Sequence, residues 1–331
     1  MESSKKNILL LVAVQLLVVA CAGTAKDAYG KKGGNEMENP LDYYSTQGFF
    51  SDPGKYGKEL KQLPDDMAEL CGVVQGLLVH VYWASQYGFH PDEKRKQETN
   101  LRTMKDKLER IKELDPKPFS KKRAANKKLV STCRDFTLVL TSILRAKGIP
   151  ARARCGFGRY FTPGLNEDHW VCEYWNSDQS RWILVDSQLD YHQKQVLNIR
   201  FDPCDVPRDM FIVGGKAWNR CRKDGDSPDN YGIFHLKGTM FIVGDLVRDV
   251  AALNKAELEP WDGWGMMLTE EKDLTDDDYE LLDKLADLTM NEDIEYSRIR
   301  EIYAREERIR VPGAIKVFTE AGVVEVDLGM K

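Results

Sequence analysis

What the chain lacks narrows the possibilities first. Its 331 residues hold 48 Lys and Arg against 53 Asp and Glu, so basic charge is not in excess, and the two signs interleave along the sequence. No basic face stands out for a nucleic acid, and none is expected as a partner. The apolar run from Ile8 to Ala20, broken only by Gln15, is 13 residues long, too short to span a bilayer comfortably. Histidine is scarce at 5 residues, and the 7 cysteines never fall at C-x-x-C spacing, nor the histidines at H-x-x-x-H. No metal-ligand signature is present, and no cofactor is expected. No repeat period is detectable. What remains is a 42% hydrophobic chain that can bury one large core or two small ones.

The amino terminus carries targeting features. Lys5 and Lys6 ahead of the apolar run make residues 1–20 a secretory signal. Val18-Val19-Ala20-Cys21 resembles a bacterial lipobox with Cys21 as the lipidated residue, whereas Ala20-Cys21-Ala22 fits an ordinary A-x-A cleavage site; the lipobox is the preferred reading. The expected location is extracytoplasmic, on a membrane through that lipid, in the periplasm or at the cell surface. Residues 21–45, small, polar and glycine-rich up to about Glu36, are expected to be a flexible tether.

Beyond it, periodicity predicts an apolar helix over 63–88 and a charged one over 91–114, ended by Pro116 and Pro118. A helix and three short strands follow within 126–192. Further helices are expected over 242–255, 276–290 and 292–308, with a closing hairpin around Ala321-Gly322. Thr275 is the expected N-cap of "LTDDDYELL", whose carboxylates suit the positive end of a helix better than a calcium loop.

The chemistry concentrates around Cys133. Phe136, Val139, Leu140, Ile143 and Leu144 form a stripe at helical spacing, stopped by Gly148-Ile149-Pro150, so Cys133 falls in the first turn. Unpaired N–H groups and the helix dipole there favour an anion, which predicts a depressed thiol pKa. Downstream, "DHWVCEYWNSDQSRWILVDSQ" alternates as two strands about a polar turn at 176–180, with His169 and Asp186 equidistant from its centre. A symmetric hairpin sets them face to face, the carboxylate holding the imidazole N–H, and the face shared by His169, Val171 and Leu184 is expected to pack on the cysteine helix. The backbone N–H of Cys133 is one candidate oxyanion donor; Gln75, Trp83 and Trp170 are candidates for the second. Trp261 and Trp264 in "PWDGWG" either line a cleft or fill the core. His80 reads as core, and His90, His192 and His235 lack nameable partners.

"CRDFTLVLTSILRAKGIPAR", "HWVCEYW" and "RWILVD", with 36 residues from Cys133 to His169 and 17 from His169 to Asp186, resemble the core of the transglutaminase-like superfamily. The resemblance covers about 126–192. It implies an α+β, papain/transglutaminase-like fold: a nucleophile helix packed on an antiparallel sheet with added helices on both sides, within one catalytic domain over 46–331. It also implies roles, with Cys133 as nucleophile, His169 as general base and acid, and Asp186 as orienter. "LVRDVAALNKAELEPWDGWG" is similar to bacterial members, with no chemistry attached to it. A thiolate attacking an amide forms a thioester, and the acceptor decides between hydrolysis and cross-linking. The expected activity is hydrolysis of a peptide or envelope polymer. The alternatives are a lipid-anchored binding or assembly protein that keeps the fold without turnover, and an amine-accepting transglutaminase.

Five other cysteines remain beside Cys21 and Cys133. A hairpin symmetric about Pro163-Gly164 would oppose Cys155 and Cys172 and permit a disulfide, while a wider loop at 166–168 would shift the register and leave both as free, buried thiols.

Overall fold

The computed structural model describes residues 39–319 and 322–330; the signal-like segment, Cys21 and most of the expected tether lie outside them. The tether does not reach residue 45. Pro40–Tyr44 is a helix, with Asn39 accepting the Leu41 N–H, and Tyr44 is fully buried, its hydroxyl donating to the Leu253 carbonyl at 3.0 Å. Burying two tyrosine rings outweighs the chain freedom that the polar residues before them suggested.

Two expected helices are shorter than their periodicity. The one predicted over 63–88 ends at Leu77, its helical part being Met67–Leu77. The next residues form β1 (Leu78–His80), paired in parallel with β2 (Leu129–Ser131). The helix predicted over 91–114 is broken: Glu93–Lys96 stands apart from Met104–Leu114, which Thr103 starts by accepting the Asp106 N–H at 3.2 Å. Thr275 caps the helix Asp276–Thr289 as expected.

The helix Cys133–Ala146 opens with a reciprocal cap: Thr132 accepts from the backbone of Asp135, and the Asp135 carboxylate accepts the Thr132 N–H at 3.0 Å. It is followed by β3 (Ala151–Gly158), β4 (Asn166–Asn176), β5 (Arg181–Val185), β6 (Phe211–Val213), β7 (Tyr231–Ile233) and β8 (Leu236–Lys237). These form one sheet of order β6-β3-β4-β7-β8, with β5 also on β4. The helix Thr239–Leu253 lies along β3, the helix Tyr296–Arg305 follows, and β9 (Asp262–Gly263), β10 (Ala314–Thr319) and β11 (Gly322–Asp327) make a small second sheet. The class is α+β, and one core cluster extends from Tyr43 to Val317. No helix among the described residues is long and apolar enough to cross a membrane.

The two faces of the main sheet are filled separately. Phe157, Cys172 and Val185 pack with Phe136 and Leu140 of the cysteine helix. Val171 and Leu184 project the other way and pack with Tyr160, Leu189, Phe211 and Val213. The expectation that the His169–Val171–Leu184 face meets the cysteine helix is therefore wrong: the opposite face does.

That arrangement leaves a break in the sheet. β3 takes one edge of β4. On the other edge β7 pairs with residues 166 and 167 and β5 with residues 172 to 176, so residues 168 to 171 have no strand partner there.

Candidate functional site

The break in β4 is where the three sequence candidates meet. The backbone N–H groups of Trp170 and of Arg134, in the first turn of the helix, lie toward the Cys133 thiol and favour its anion. The helix start therefore seats its sulfur on the unpaired edge of β4, at Trp170, the residue after His169.

His169 and Asp186 are paired, but by a different register from the one expected. Asn176 opposes Arg181 and Cys172 opposes Val185, where the ladder stops. Continuing it would set Asp186 across from Val171, two residues along from His169 on the same face. The contact is diagonal, and His169 Nε2 reaches Asp186 Oδ2 at 2.8 Å. The β-turn takes four residues, 177 to 180, rather than closing symmetrically on the pair.

The Asp186 carboxylate acts only as an acceptor here. Oδ2 takes the Tyr160 hydroxyl at 2.8 Å as well as the imidazole, and Oδ1 takes the Gln188 N–H at 3.0 Å. With Nε2–H committed to the carboxylate, Nδ1 is the ring nitrogen left to accept a proton. Aromatic rings cage the imidazole: Phe161 at 4.7 Å, Tyr160 at 5.9 Å and Phe211 at 6.4 Å between centroids, each edge-on. Sequence reasoning missed Tyr160 and Phe161, although "GRYF" directly after β3 put two aromatics on the way to the site.

Gly156 opposes His169 in the β3–β4 ladder, and β6 runs so close that an added Cβ would meet the Ile212 carbonyl and, at 2.7 Å, Val213 Cα. Gly156→Ala is expected to cost about 1–3 kcal/mol of overpacking and to displace β6, with Phe211, from the imidazole. Urea unfolding measures it; an unchanged midpoint would mean that β6 yields freely.

The thiol departs from its expected electrostatics. Burial pushes Cys133 well above an ordinary cysteine, and the Asp168 carboxylate adds to the rise; the Trp170 and Arg134 N–H groups pull it down without offsetting burial. Helix-start stabilisation of the anion exists, but desolvation at a site only 9% exposed outweighs it. The resting thiol is protonated. His80, at the end of β1, is pushed down to about 3, by burial first and then by the nearby His169, so it stays neutral.

Of the oxyanion candidates, no acceptor among the described residues engages the Cys133 backbone N–H. The Gln75 amide donates one of its two N–H groups to the Ser187 carbonyl at 3.2 Å. The Trp170 indole N–H is buried without an acceptor. Trp264 is structural, donating to Ile309 at 2.9 Å, while the Trp261 indole N–H is buried and unpartnered.

The segment "NKAELEPWDGWG" has a role after all: it locks the helix start. Glu259 accepts from Arg134 at 2.8 Å and from Thr132 at 3.2 Å, with Lys107 at 3.5 Å, and Lys107 also meets Asp135 at 2.6 Å. Glu257 takes Arg145 at 2.9 Å, and Asp262 takes Arg102 through both oxygens at 2.9 and 2.6 Å. Burial pushes Glu259 up to about 8 against the pull of Arg134, and pushes Asp168 up to about 6. Both folded values lie above the ordinary carboxyl range, so these groups add stability fully at low pH, and that contribution is lost as pH rises through about 6 and then about 8. Denaturant unfolding is therefore expected to show lower stability at about pH 9 than at about pH 6. Glu259→Gln should flatten the upper part of that slope, and a slope that persists unchanged would assign it elsewhere.

The six described cysteines are free. Cys155 opposes Trp170, and Cys172 opposes Ala153, so the register separates the two candidates for a bridge by two positions. The thiols that stand together are instead Cys71 and Cys204, close enough that each shifts the other's titration. One cluster could hold a cation: Cys155, Asp168 and Asp245, with ligand atoms within 4.8 Å of one another. It joins two strands and a helix, and no spacing motif could have announced it.

The profile of the transglutaminase-like superfamily matches residues 92–187, beginning upstream of the 126–192 segment singled out by sequence. A solved candidate cysteine protease from Cytophaga hutchinsonii is similar at 13% identity over 46% of this chain and 43% of that one, with a TM-score of 0.29. No curated protein matches the chain.

Proposed function

We propose, from the premise that this chain carries a transglutaminase-like core at residues 92–187, that it is a cysteine acyltransferase acting on amides, with hydrolysis of a peptide or cell-envelope polymer as its reaction. The observation that carries the reading is the His169–Asp186 contact at 2.8 Å, which leaves Nδ1 free to accept a proton beside the break in β4 where the Cys133 sulfur sits. Cys133 gives its proton to His169 as sulfur bonds to the amide carbon, and the carbonyl electron pair moves onto oxygen. Collapse breaks the C–N bond, and the amine leaves with the proton from the imidazolium. Water, deprotonated by His169, then attacks the thioester, releasing a carboxylate and the thiol. The backbone N–H of Cys133 is the oxyanion donor in this scheme. Asp186 holds the tautomer and steadies the imidazolium. Because burial favours the protonated thiol, its proton moves to His169 only as sulfur bonds to the amide carbon. The protein would work outside the cytoplasm, held to a membrane through Cys21.

Burial of the thiol is the observation that favours the other reading, a binding or assembly protein without turnover. One experiment separates the readings. A peptide library incubated in heavy-oxygen water should yield a thioester on Cys133 by mass spectrometry and products with one labelled carboxylate oxygen. Unlabelled amine adducts would assign cross-linking instead. Absence of any Cys133 thioester and of any product, from a folded protein, would leave the binding role.

A further inference from the structure

Beside Cys133 lies a group of polar side chains with unspent hydrogen-bonding capacity. Asp168 immediately precedes His169 on β4, Asp245 comes from the helix Thr239–Leu253, and Cys155 comes from β3. Asp168 Oδ1 and Asp245 Oδ2 are buried with no partner, and so is the indole N–H of Trp170, which packs against Cys133 and Cys155. A buried polar atom left unpaired costs about 1–3 kcal/mol, and here four fall in one small region, Arg248 Nε being the fourth. Cys133 and Asp168 keep 9% and 8% of their surface exposed, whereas Cys155 and Asp245 keep 0%. Arg248 does not complete it. Its guanidinium meets Asp245 Oδ1 at 3.3 Å and the Asp262 carbonyl at 3.3 Å, and makes no hydrogen bond to Asp168.

The unpaired atoms specify a ligand. Two carboxylate oxygens can take a donor with positive charge, and the indole N–H and the Arg248 Nε–H require an acceptor. A bare divalent cation meets the first requirement and not the second. An ammonium with a carbonyl a few bonds away meets both, and that is the chemistry of an amino-terminal residue or of a diamino acid within a peptide.

Resting on Cys133 as nucleophile, we propose that Asp168 and Asp245 form a substrate subsite that holds a primary ammonium close to the scissile amide, with a neighbouring carbonyl on the Trp170 indole. The substrate class is then a peptide or envelope peptide with a free amino group beside the bond that is cleaved. Tyr82 supports this reading, since its phenol lies near enough to feel both Cys133 and Asp168. With Phe234, edge-on at 5.2 Å, it offers an exposed aromatic pair of the kind that favours cations.

The test needs no natural substrate. The rates at which aminoethyl, sulfonatoethyl and methyl methanethiosulfonate label Cys133 are followed by mass spectrometry and normalised to a small free thiol. The cationic reagent should win over the anionic one by about tenfold or more, the factor set by one charge-assisted contact. Asp168→Asn and, separately, Asp245→Asn should bring the normalised ratio toward one, with thermal melts confirming that each variant is folded. Methylammonium chloride should slow labelling of the wild type by the neutral reagent, and of Asp168→Asn much less. Labelling of Cys133 without charge preference would overturn the subsite and leave the nucleophile standing. Labelling no faster than at Cys155 or Cys172 would remove both. Protection by manganese chloride and not by methylammonium would make the cluster a metal site and overturn the proposal.

Discussion

Asp186→Asn is expected to leave a folded protein whose turnover falls by about three to four orders of magnitude, and Cys133→Ala one with none. Among the described residues, the carboxylate alone accepts the Nε2–H of His169, at 2.8 Å, and it does so while also accepting from Tyr160 and Gln188. An amide in its place can present N–H to the ring. That favours the tautomer with the proton on Nδ1, the nitrogen that must receive the thiol proton. Tyr160→Phe is the internal comparison: it removes one donor to the same oxygen without changing the tautomer, and should cost far less, about tenfold. Turnover of the peptide substrates found by library screening, with thermal melts alongside, measures all three variants. An Asp186→Asn protein of nearly full activity would remove the carboxylate from the mechanism.

The second large effect is on stability. Arg154 on β3 is fully buried and holds Asp249 through two bonds of 2.9 Å, Glu173 at 3.0 Å and the Thr289 carbonyl at 2.8 Å. Its partner Glu173 is held far below the usual carboxylate range: Arg152, Arg154 and Arg208 overcome the burial that would raise it. Arg154→Met strips one guanidinium from two buried carboxylates and should cost about 3–5 kcal/mol in urea unfolding, the price of an uncompensated buried charge. Arg154→Met/Asp249→Leu removes both ends and should recover part of that loss. The recovery will be incomplete, because Asp249 also accepts the Cys155 N–H at 2.9 Å. A single variant costing under about 1 kcal/mol would mean that water or a proton replaces the arginine at no expense.

Much of the candidate site was legible in the sequence. The stripe from Phe136 to Leu144 and the Gly148-Ile149-Pro150 stop required a helix headed by Cys133, and the alternation around the 176–180 turn required two strands. Both depend on contacts between near neighbours in the chain, which a pattern of residue types encodes. Period-two alternation also put His169 and Asp186 on one face, and a one-residue change of register on each strand could not undo that.

The tertiary structure decided what depends on distant segments. β1 replaced the end of an expected helix because β2, some fifty residues on, offered it a partner. Which sheet face met the cysteine helix was not settled by alternation, since both faces of β4 are buried and each mixes apolar with charged residues. Arg152, Arg154 and Glu173 sit in strands that alternation alone would turn toward water; they are buried because they pair with one another across β3 and β4 and with Arg208, Asp249, Thr289 and Glu292 from further along the chain. The thiol's pKa followed the same rule. A helix start pulls it down from nearby, but how much water the rest of the fold removes was the larger effect. Desolvation is set by every segment that packs around a group, so no local stretch of sequence contains it.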